Sequence, residues 1–200
     1  MDEQDIALQS SCPVISVPMF SDLVPLSESG ERVLVASNGI FLEVVRKWGR
    51  FIYRTGQLDK RKSLPFGAVE ESISLKCRCP FVLLQDFTRI ARQHSHREMA
   101  ASIIWNEKSD TFRLVQCESL SADENHIHYK CAKLAEGEHL FIDCHSHGHH
   151  PAYFSRQDDL DDSHDVKFAF VAGNCDQPQP SVAMRLCLQG HYKYFKGKKL

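Results

Sequence analysis

Apolar and polar positions alternate with two different periods along the chain, and the change of period marks the predicted elements. Apolar runs that contain β-branched residues lie on both sides of Asn38-Gly39 within residues 31–45, which is the pattern of a β-hairpin. Phe51-Ile-Tyr53 predicts a third strand, so we expect a small N-terminal sheet. The first eighteen residues are polar and contain two prolines, so we expect a loose lead-in.

Helical spacing appears next, and strands follow it. Apolar residues recur at intervals of three and four from Phe81 to Ala91, which predicts an amphipathic helix from Pro80 to about Gln93. A polar loop is expected to run through His128. The further predicted strands are 98–105, 111–117, 139–145, 166–172 and 181–188. The pattern predicts an α/β (α+β) fold with a mixed central sheet and the first helix against one of its faces.

Composition is that of an ordinary soluble globular protein. The 200 residues are 42% hydrophobic and 25% charged, and no apolar run approaches the length of a membrane span. The acidic start lacks the features of a secretory signal, so we expect a cytoplasmic protein whose eight cysteines are free thiols. A net charge of -2 makes no case for a nucleic-acid partner, and we interpret the basic residues after Gly190 as a solvated tail.

His145-Ser146-His147 is the first segment with candidate chemistry. Side chains on a strand alternate, so both imidazoles point to one side and can reach the same ion. Ser155 follows after seven residues and Asp158 after two more. Two histidines and one aspartate leave a fourth tetrahedral position for water, the arrangement of a hydrolytic zinc centre. Ser155 and Asp158 also fit a helix-capping pair, which is compatible with such a site.

A general base is expected upstream of these residues, and Glu98 is the best-placed candidate. It opens the apolar segment Glu98–Trp105, directly after the predicted helix. The other candidate glutamates fall in predicted turns or polar loops, or flank a glycine: Glu107, Glu118, Glu124, Glu136 and Glu138.

A glutamate before one strand, followed by H-S-H-x7-S-x2-D after a second strand, resembles the JAMM motif of the JAB/MPN metalloprotease family. All five elements of that motif are present. The resemblance implies a JAB/MPN-like (cytidine-deaminase-like) mixed sheet sandwiched by helices. We assign this domain to residues 76–200 and a β-rich, hairpin-containing N-terminal extension to residues 1–75.

Four phrases are similar to one branch of the family, PRTRC (ParB-related, ThiF-related cassette) system protein A, from a bacterial gene set often carried on plasmids. They are residues 35–43, 137–148, 151–155 and 170–174, and the likeness runs from about Met19 to Gly190. This resemblance implies a peptidase that acts on a ubiquitin-like protein or its conjugate, beside a ThiF-like activating enzyme. We expect the substrate tail to add as a strand at a sheet edge near the histidine strand.

The expected chemistry assigns a role to each residue of the site. Zn2+ held by His145, His147 and Asp158 would lower the pKa of its water toward about 7. Glu98 would take the proton of that water and return it to the leaving amine, a role worth about 10² to 10⁴ in rate. Ser155 would donate to the oxyanion, where loss of one donor costs about 10² to 10³.

Two other interpretations remain open at this point. The histidine segment also partly matches the H-x-H-x-D-H motif of metallo-β-lactamase-like hydrolases. That motif has Asp at the position of His149, and only His164 and His191 would remain as further ligands. A non-catalytic MPN-type scaffold is the second alternative. The sequence leaves open the bond cleaved, the oligomeric state and any role for His149 and His150.

Overall fold

The structure is a computed structural model that describes residues 2–59, 64–122, 127–130 and 133–195. The chain divides into two compact units, Met1–Arg78 and Cys79–Leu200. In the described ranges no helix combines the length and the apolar character needed to cross a membrane.

The described residues of the first unit form one helix and one five-stranded sheet. Helix α1 spans Glu3–Ser11. Five strands, β1 to β5 in chain order, span Val14–Ser16, Gly30–Ala36, Gly39–Arg46, Gly49–Gly56 and Ser72–Leu75. They lie side by side in chain order, with β1 parallel to β2 and the other pairs antiparallel. The predicted hairpin at Asn38-Gly39 and the strand at Phe51 are confirmed.

Helix α1 corrects the prediction of a loose lead-in. Asp2 caps the helix, since its carboxylate accepts a hydrogen bond from the Gln4 backbone N–H at 2.8 Å. None of the helix side chains is buried, so the sequence has no apolar stripe from which the helix could be predicted. The two prolines of this stretch, Pro13 and Pro18, lie after the helix and do not interrupt it.

The first unit has its own core. An apolar cluster of six buried residues lies on and beside its sheet: Val17, Leu34, Ala36, Phe41, Ile52 and Val69. Glu43 of β3 is fully buried, and its carboxylate oxygens accept from Arg32 Nε at 2.5 Å and Arg50 Nε at 2.7 Å. This carboxylate is therefore matched by two guanidinium groups, as a buried charge requires.

The second unit contains the strand with the two histidines. Its described ranges contain eight strands, β6 to β13 in chain order, which span Ala100–Asn106, Thr111–Gln116, Glu118–Ala122, Ile127–Lys130, Glu138–Ser146, Val166–Gly173, Ser181–Leu188 and His191–Phe195. Six of them form one sheet in the order β13-β12-β11-β10-β6-β7. Strand β10 pairs with β6 in antiparallel and with β11 in parallel orientation, so the histidine strand lies inside the sheet.

Two helices lie on opposite faces of this mixed sheet, so the α+β class is as predicted. Helix α2 spans Val82–Gln93, and its Phe87 contacts Phe170 of β11 with ring centroids 6.2 Å apart. Helix α3 spans Arg156–Asp161 and contacts Arg185 of β12. Arg185 is paired with Ala169, so strand alternation places it on the face opposite Phe170.

Two other predictions for this unit are wrong. The expected polar loop through His128 contains the two paired strands β8 and β9, and the residues between them, 123–126, lie outside the described residues. The expected solvated tail begins with strand β13, which pairs with β12 from Leu188↔His191 to Met184↔Phe195. Residues 196–200 of that tail lie outside the described residues.

Candidate metal centre

Three ligand atoms converge at the end of β10. His145 Nε2 lies 3.1 Å from His147 Nε2 and 3.3 Å from Asp158 Oδ1. The ligand atoms of the three residues all lie within 4.8 Å of one another. In a tetrahedral site with Zn–N bonds of about 2.0–2.1 Å, neighbouring ligand atoms are about 3.3 Å apart. The three side chains therefore fit zinc.

Hydrogen bonding and burial both favour the metal-binding form of His147. Its Nδ1 lies 3.2 Å from the backbone oxygen of Pro151, so an N–H at Nδ1 leaves the Nε2 lone pair directed at the site. Burial lowers the pKa of His147, and neighbouring His145 lowers it further. Only the neutral imidazole binds a metal, so both effects favour ligation.

Two glycines near His147 let backbone segments approach each other closely. Gly148 has φ +53°, and a Cβ there would lie 2.7 Å from the Ser95 carbonyl oxygen. A Cβ on Gly173 would lie 2.2 Å from Ala152 N, because the segment carrying Pro151 crosses β11 at that point. Glycine is thus required at both positions for close backbone approach. The close approach at Gly173 keeps Pro151, whose carbonyl oxygen contacts His147, next to β11.

A capping box presents Asp158 to the histidines. Ser155 is the N-cap of α3, and its Oγ accepts from the Asp158 backbone N–H at 3.2 Å. The backbone N–H of Ser155 donates to Asp158 Oδ2 at 2.6 Å. One carboxylate oxygen therefore closes the cap, while Oδ1 stays directed at His145. The capping interpretation and the metal interpretation of Ser155 and Asp158 hold together in one geometry.

The Ser155 hydroxyl has a second contact with the same carboxylate. Its Oγ lies 2.6 Å from Asp158 Oδ2 and donates to it. The oxyanion role predicted for Ser155 requires that hydrogen to turn toward a substrate, and that role stays a prediction.

Two hydrogen bonds between Ser146 and Met99 join the segment that carries Glu98 to the histidine strand. The Ser146 backbone N–H donates to Met99 O at 2.8 Å, and Ser146 Oγ accepts from Met99 N at 2.9 Å. Since Ala100 pairs with His145, continuing this antiparallel register places Glu98 opposite His147. Glu98 is half-buried there. The role of proton acceptor for Glu98 stays a prediction.

The other histidines that the structure describes do not join this cluster. In the described ranges, the group that could hold a metal consists of His145, His147 and Asp158. His149 is exposed and lies 3.4 Å from Asp176, while neither His164 nor His191 belongs to the group. The geometry thus favours the ligand set with Asp158 over the metallo-β-lactamase-like set.

Sequence reasoning missed two neighbours of the site. Tyr153 is 54% exposed, and its ring packs edge-on against His147 with centroids 4.6 Å apart, so it forms a wall beside the ligands. Arg185 forms an ion pair with Asp159, the residue after Asp158. The signal for Arg185 was present, since it is the one charged residue in the apolar strand Ser181–Leu188.

Comparison with known proteins agrees with this geometry. Residues 2–76 match the model of a domain of unknown function (DUF2016). Residues 81–187, more than half of the chain, match the model of prokaryotic homologs of the JAB domain, and this stretch includes all five JAMM elements. No curated protein and no solved structure matches the chain. The chain therefore belongs to the prokaryotic homologs of the JAB domain.

Proposed function

We propose that this protein is a zinc-dependent metallopeptidase or isopeptidase of the JAMM type. The observation that carries the proposal is the convergence of His145 Nε2, His147 Nε2 and Asp158 Oδ1 at spacings that fit tetrahedral zinc. Three protein ligands leave one position open, as a hydrolytic centre requires. A site that served only the fold would close the fourth position with a further protein ligand.

The residues around the cluster divide the work of amide hydrolysis. Zinc at this site would polarise the scissile carbonyl and make water acidic enough to attack at neutral pH. Glu98 accepts the proton of the attacking water on its carboxylate and returns it to the leaving amine. Ser155 holds Asp158 through the cap and donates to the developing oxyanion when substrate is present. Tyr153 forms a wall of the substrate site next to His147.

The substrate we propose is the C-terminal tail of a ubiquitin-like protein, free or conjugated. The support is the similarity to the PRTRC branch, which also suggests a ThiF-like activating enzyme as a partner and the cytoplasm as the location. Strand β10 is flanked by β6 and β11, so a tail cannot add beside the histidine strand itself. Among the described strands, the edges of this sheet are β7 and β13. A tail that adds as a strand must therefore pair with one of them.

The first prediction concerns the metal. The protein should bind about one Zn2+ per chain, because three ligands converge and one position remains for water. The variant His145→Ala with His147→Ala should lose this zinc while keeping its circular dichroism spectrum. Elemental analysis after gel filtration measures the content. A double variant with full zinc content would reject the site, and a wild type that binds no zinc would favour the scaffold interpretation.

The second prediction concerns the general base. Glu98→Gln should keep zinc and fold but abolish hydrolysis, since the carboxylate is assigned to proton transfer and not to ligation. Each ubiquitin-like or conjugated partner is incubated with the zinc-loaded protein, and cleavage is followed by intact mass. Glu107→Gln is the matched control, since Glu107 lies in the turn after β6, and it should cleave like the wild type.

Two results would contradict this assignment. Loss of zinc from Glu98→Gln would make Glu98 a ligand and the mechanism wrong. Absence of zinc-dependent cleavage of every partner would reject the peptidase assignment and support the scaffold.

A further inference from the structure

Helix α3 has no apolar anchor. It spans only six residues, Arg156–Asp161, and none of their side chains is buried. Its one large apolar residue, Leu160, is 59% exposed. So short a helix is unstable in isolation, and helices in proteins are normally held by an apolar face. Polar contacts must therefore fix the position of α3, and with it the position of Asp158.

Arg185 supplies most of these contacts from β12. Its side chain is fully buried, and Nη2 donates to Asp162 Oδ2 at 2.7 Å, just after the end of α3. Nη1 forms an ion pair with the carboxylate of Asp159, the residue after Asp158. The guanidinium also lies 4.1 Å from the ring centroid of Phe154, the residue before the N-cap. One side chain thus holds the segment before and after the ligand.

Tyr192 of β13 strengthens the same arrangement. Its ring centroid lies 4.0 Å from the guanidinium carbon of Arg185, so the cation is stacked against two aromatic rings. The Tyr192 hydroxyl donates to the backbone oxygen of Asp159 at 2.5 Å. The backbone and the side chain of this helix residue are therefore both bound to the sheet.

A second buried cation connects this cluster to the histidine strand. Lys167 Nζ lies 2.9 Å from Asp162 Oδ1 and 2.8 Å from Asp143 Oδ2. Asp143 lies on β10, two residues before His145 and on the same face of the strand. Burial works to lower the pKa of Lys167, but the two carboxylates outweigh it and raise that pKa overall. A continuous chain of ion pairs thus runs from the strand with the histidine ligands to the helix with Asp158.

We propose that Arg185 is a positioning residue of the metal centre: with Asp159 and Asp162 it fixes α3 so that Asp158 Oδ1 faces His145. This inference rests on the proposed zinc function. Buried ion pairs add little net stability because desolvation offsets their attraction, but their geometry restricts how the two elements meet. We therefore expect the cluster to control zinc affinity more than it controls folding.

Two neighbouring aspartates of α3 provide a matched test. Asp159 bonds to Arg185 of the sheet, whereas Asp161 is exposed and accepts a hydrogen bond from Gln157 Nε2 of its own helix at 2.8 Å. Asp159→Ala and Asp161→Ala remove the same charge from the same helix. Zinc affinity, measured by competition with a chelating dye, should fall about tenfold for Asp159→Ala, as for other partners of metal ligands, and less than about twofold for Asp161→Ala.

Cobalt and hydrogen exchange separate positioning from general destabilisation. The visible spectrum of the Co2+-loaded protein should change for Asp159→Ala and stay unchanged for Asp161→Ala, because the spectrum reports ligand geometry. In the metal-free protein, peptides that contain α3 should exchange faster in Asp159→Ala than in Asp161→Ala, while the thermal midpoints of the two variants match. Equal exchange or equal zinc affinity in the two variants would overturn the inference.

Substitutions of Arg185 extend the test. Arg185→Met should weaken zinc about 10- to 100-fold, and Arg185→Lys should restore part of that loss because it keeps the charge without the fork. If wild-type zinc binding does not depend on His145 and His147, the proposed function and this inference fail together. If wild-type binding is normal and Asp159→Ala matches Asp161→Ala, the inference alone fails.

Discussion

At the scale of single residues, the middle serine of His145-Ser146-His147 is buried and hydrogen-bonded on both its side chain and its backbone. The two histidines point to the face that carries Asp158, while Ser146 is fully buried. Its hydroxyl and its backbone N–H both bind the backbone of Met99, next to Glu98. The motif therefore presents two candidate metal ligands, and its serine joins the segment that carries the candidate base to the same strand.

The third prediction concerns Gly173, which lies against the backbone segment that carries the hydrogen-bond partner of His147. A Cβ in Gly173→Ala would displace the backbone at Ala152 and with it Pro151 O, the partner of His147 Nδ1. We expect a loss of about 1–3 kcal/mol in the free energy of unfolding, as for other overpacked positions. We also expect weaker zinc binding. Urea denaturation and zinc titration measure the two effects.

Gly30→Ala is the control for this substitution, since no atom lies within 4 Å of the Cβ it would add. It should leave zinc affinity unchanged. If Gly173→Ala has the same stability and zinc affinity as Gly30→Ala, the close approach at Gly173 does not position the partner of His147.

The sequence predicted the residues of the site better than their partners. His145 and His147 were recognisable because the period of a strand puts them on one face. Ser155 and Asp158 were recognisable because a capping box is a local pattern of three-residue spacing. The contacts of Arg185 and Gly173 join segments that are distant in the chain. Such contacts depend on strand order and register, which no local spacing specifies.

At the scale of elements, the capping box of α3 combines two functions in Ser155, and this gives the fourth prediction. Ser155→Ala should lower zinc affinity about tenfold, because Asp158 Oδ2 loses the hydroxyl that orients it. With zinc saturating, kcat should still fall by about 10² to 10³ if Ser155 also donates to the oxyanion. Zinc titration followed by cleavage at saturating zinc separates the two effects.

Ser163 provides a control near the other end of the same helix. Its hydroxyl donates to Leu160 O at 2.7 Å, and in the described part of the chain Ser163 is not one of the candidate ligands. Ser163→Ala should retain zinc affinity and kcat. Normal kcat in zinc-saturated Ser155→Ala would reject the oxyanion role and leave Ser155 as a cap.

Prediction of the elements succeeded where an apolar face is buried. Helix α2 was predicted because residues such as Leu84, Phe87 and Ala91 recur at helical spacing and are buried. Helix α1 was missed because it buries no side chain, so its sequence carries no stripe. Strand β13 was missed because its five residues, His191–Phe195, mix lysine with aromatic residues and are only partly buried. Its pairing with β12 stabilises it in place of an apolar pattern of its own.

At the scale of the whole molecule, each unit carries a separate set of buried residues. The apolar cluster of the first unit runs from Val17 to Val69. The second unit buries its own aliphatic side chains in β6, β10 and β12, among them Ile103, Ile142 and Leu186. A unit with its own core is expected to fold alone. The division at residues 75 and 76 stays a prediction.

The last prediction is that residues 79–200 form a sufficient metal centre. The side chains assigned to zinc binding and proton transfer, together with Arg185 and Lys167, belong to this unit. The isolated fragment should therefore unfold cooperatively and bind one Zn2+. Its zinc affinity should differ from that of the full chain by less than about threefold, a much smaller change than the 10- to 100-fold loss expected when a partner of a metal ligand is removed. Calorimetry and dye competition measure both properties, with the fragment carrying His145→Ala and His147→Ala as control. A folded fragment with much weaker zinc binding would mean that residues before Cys79 take part in the site.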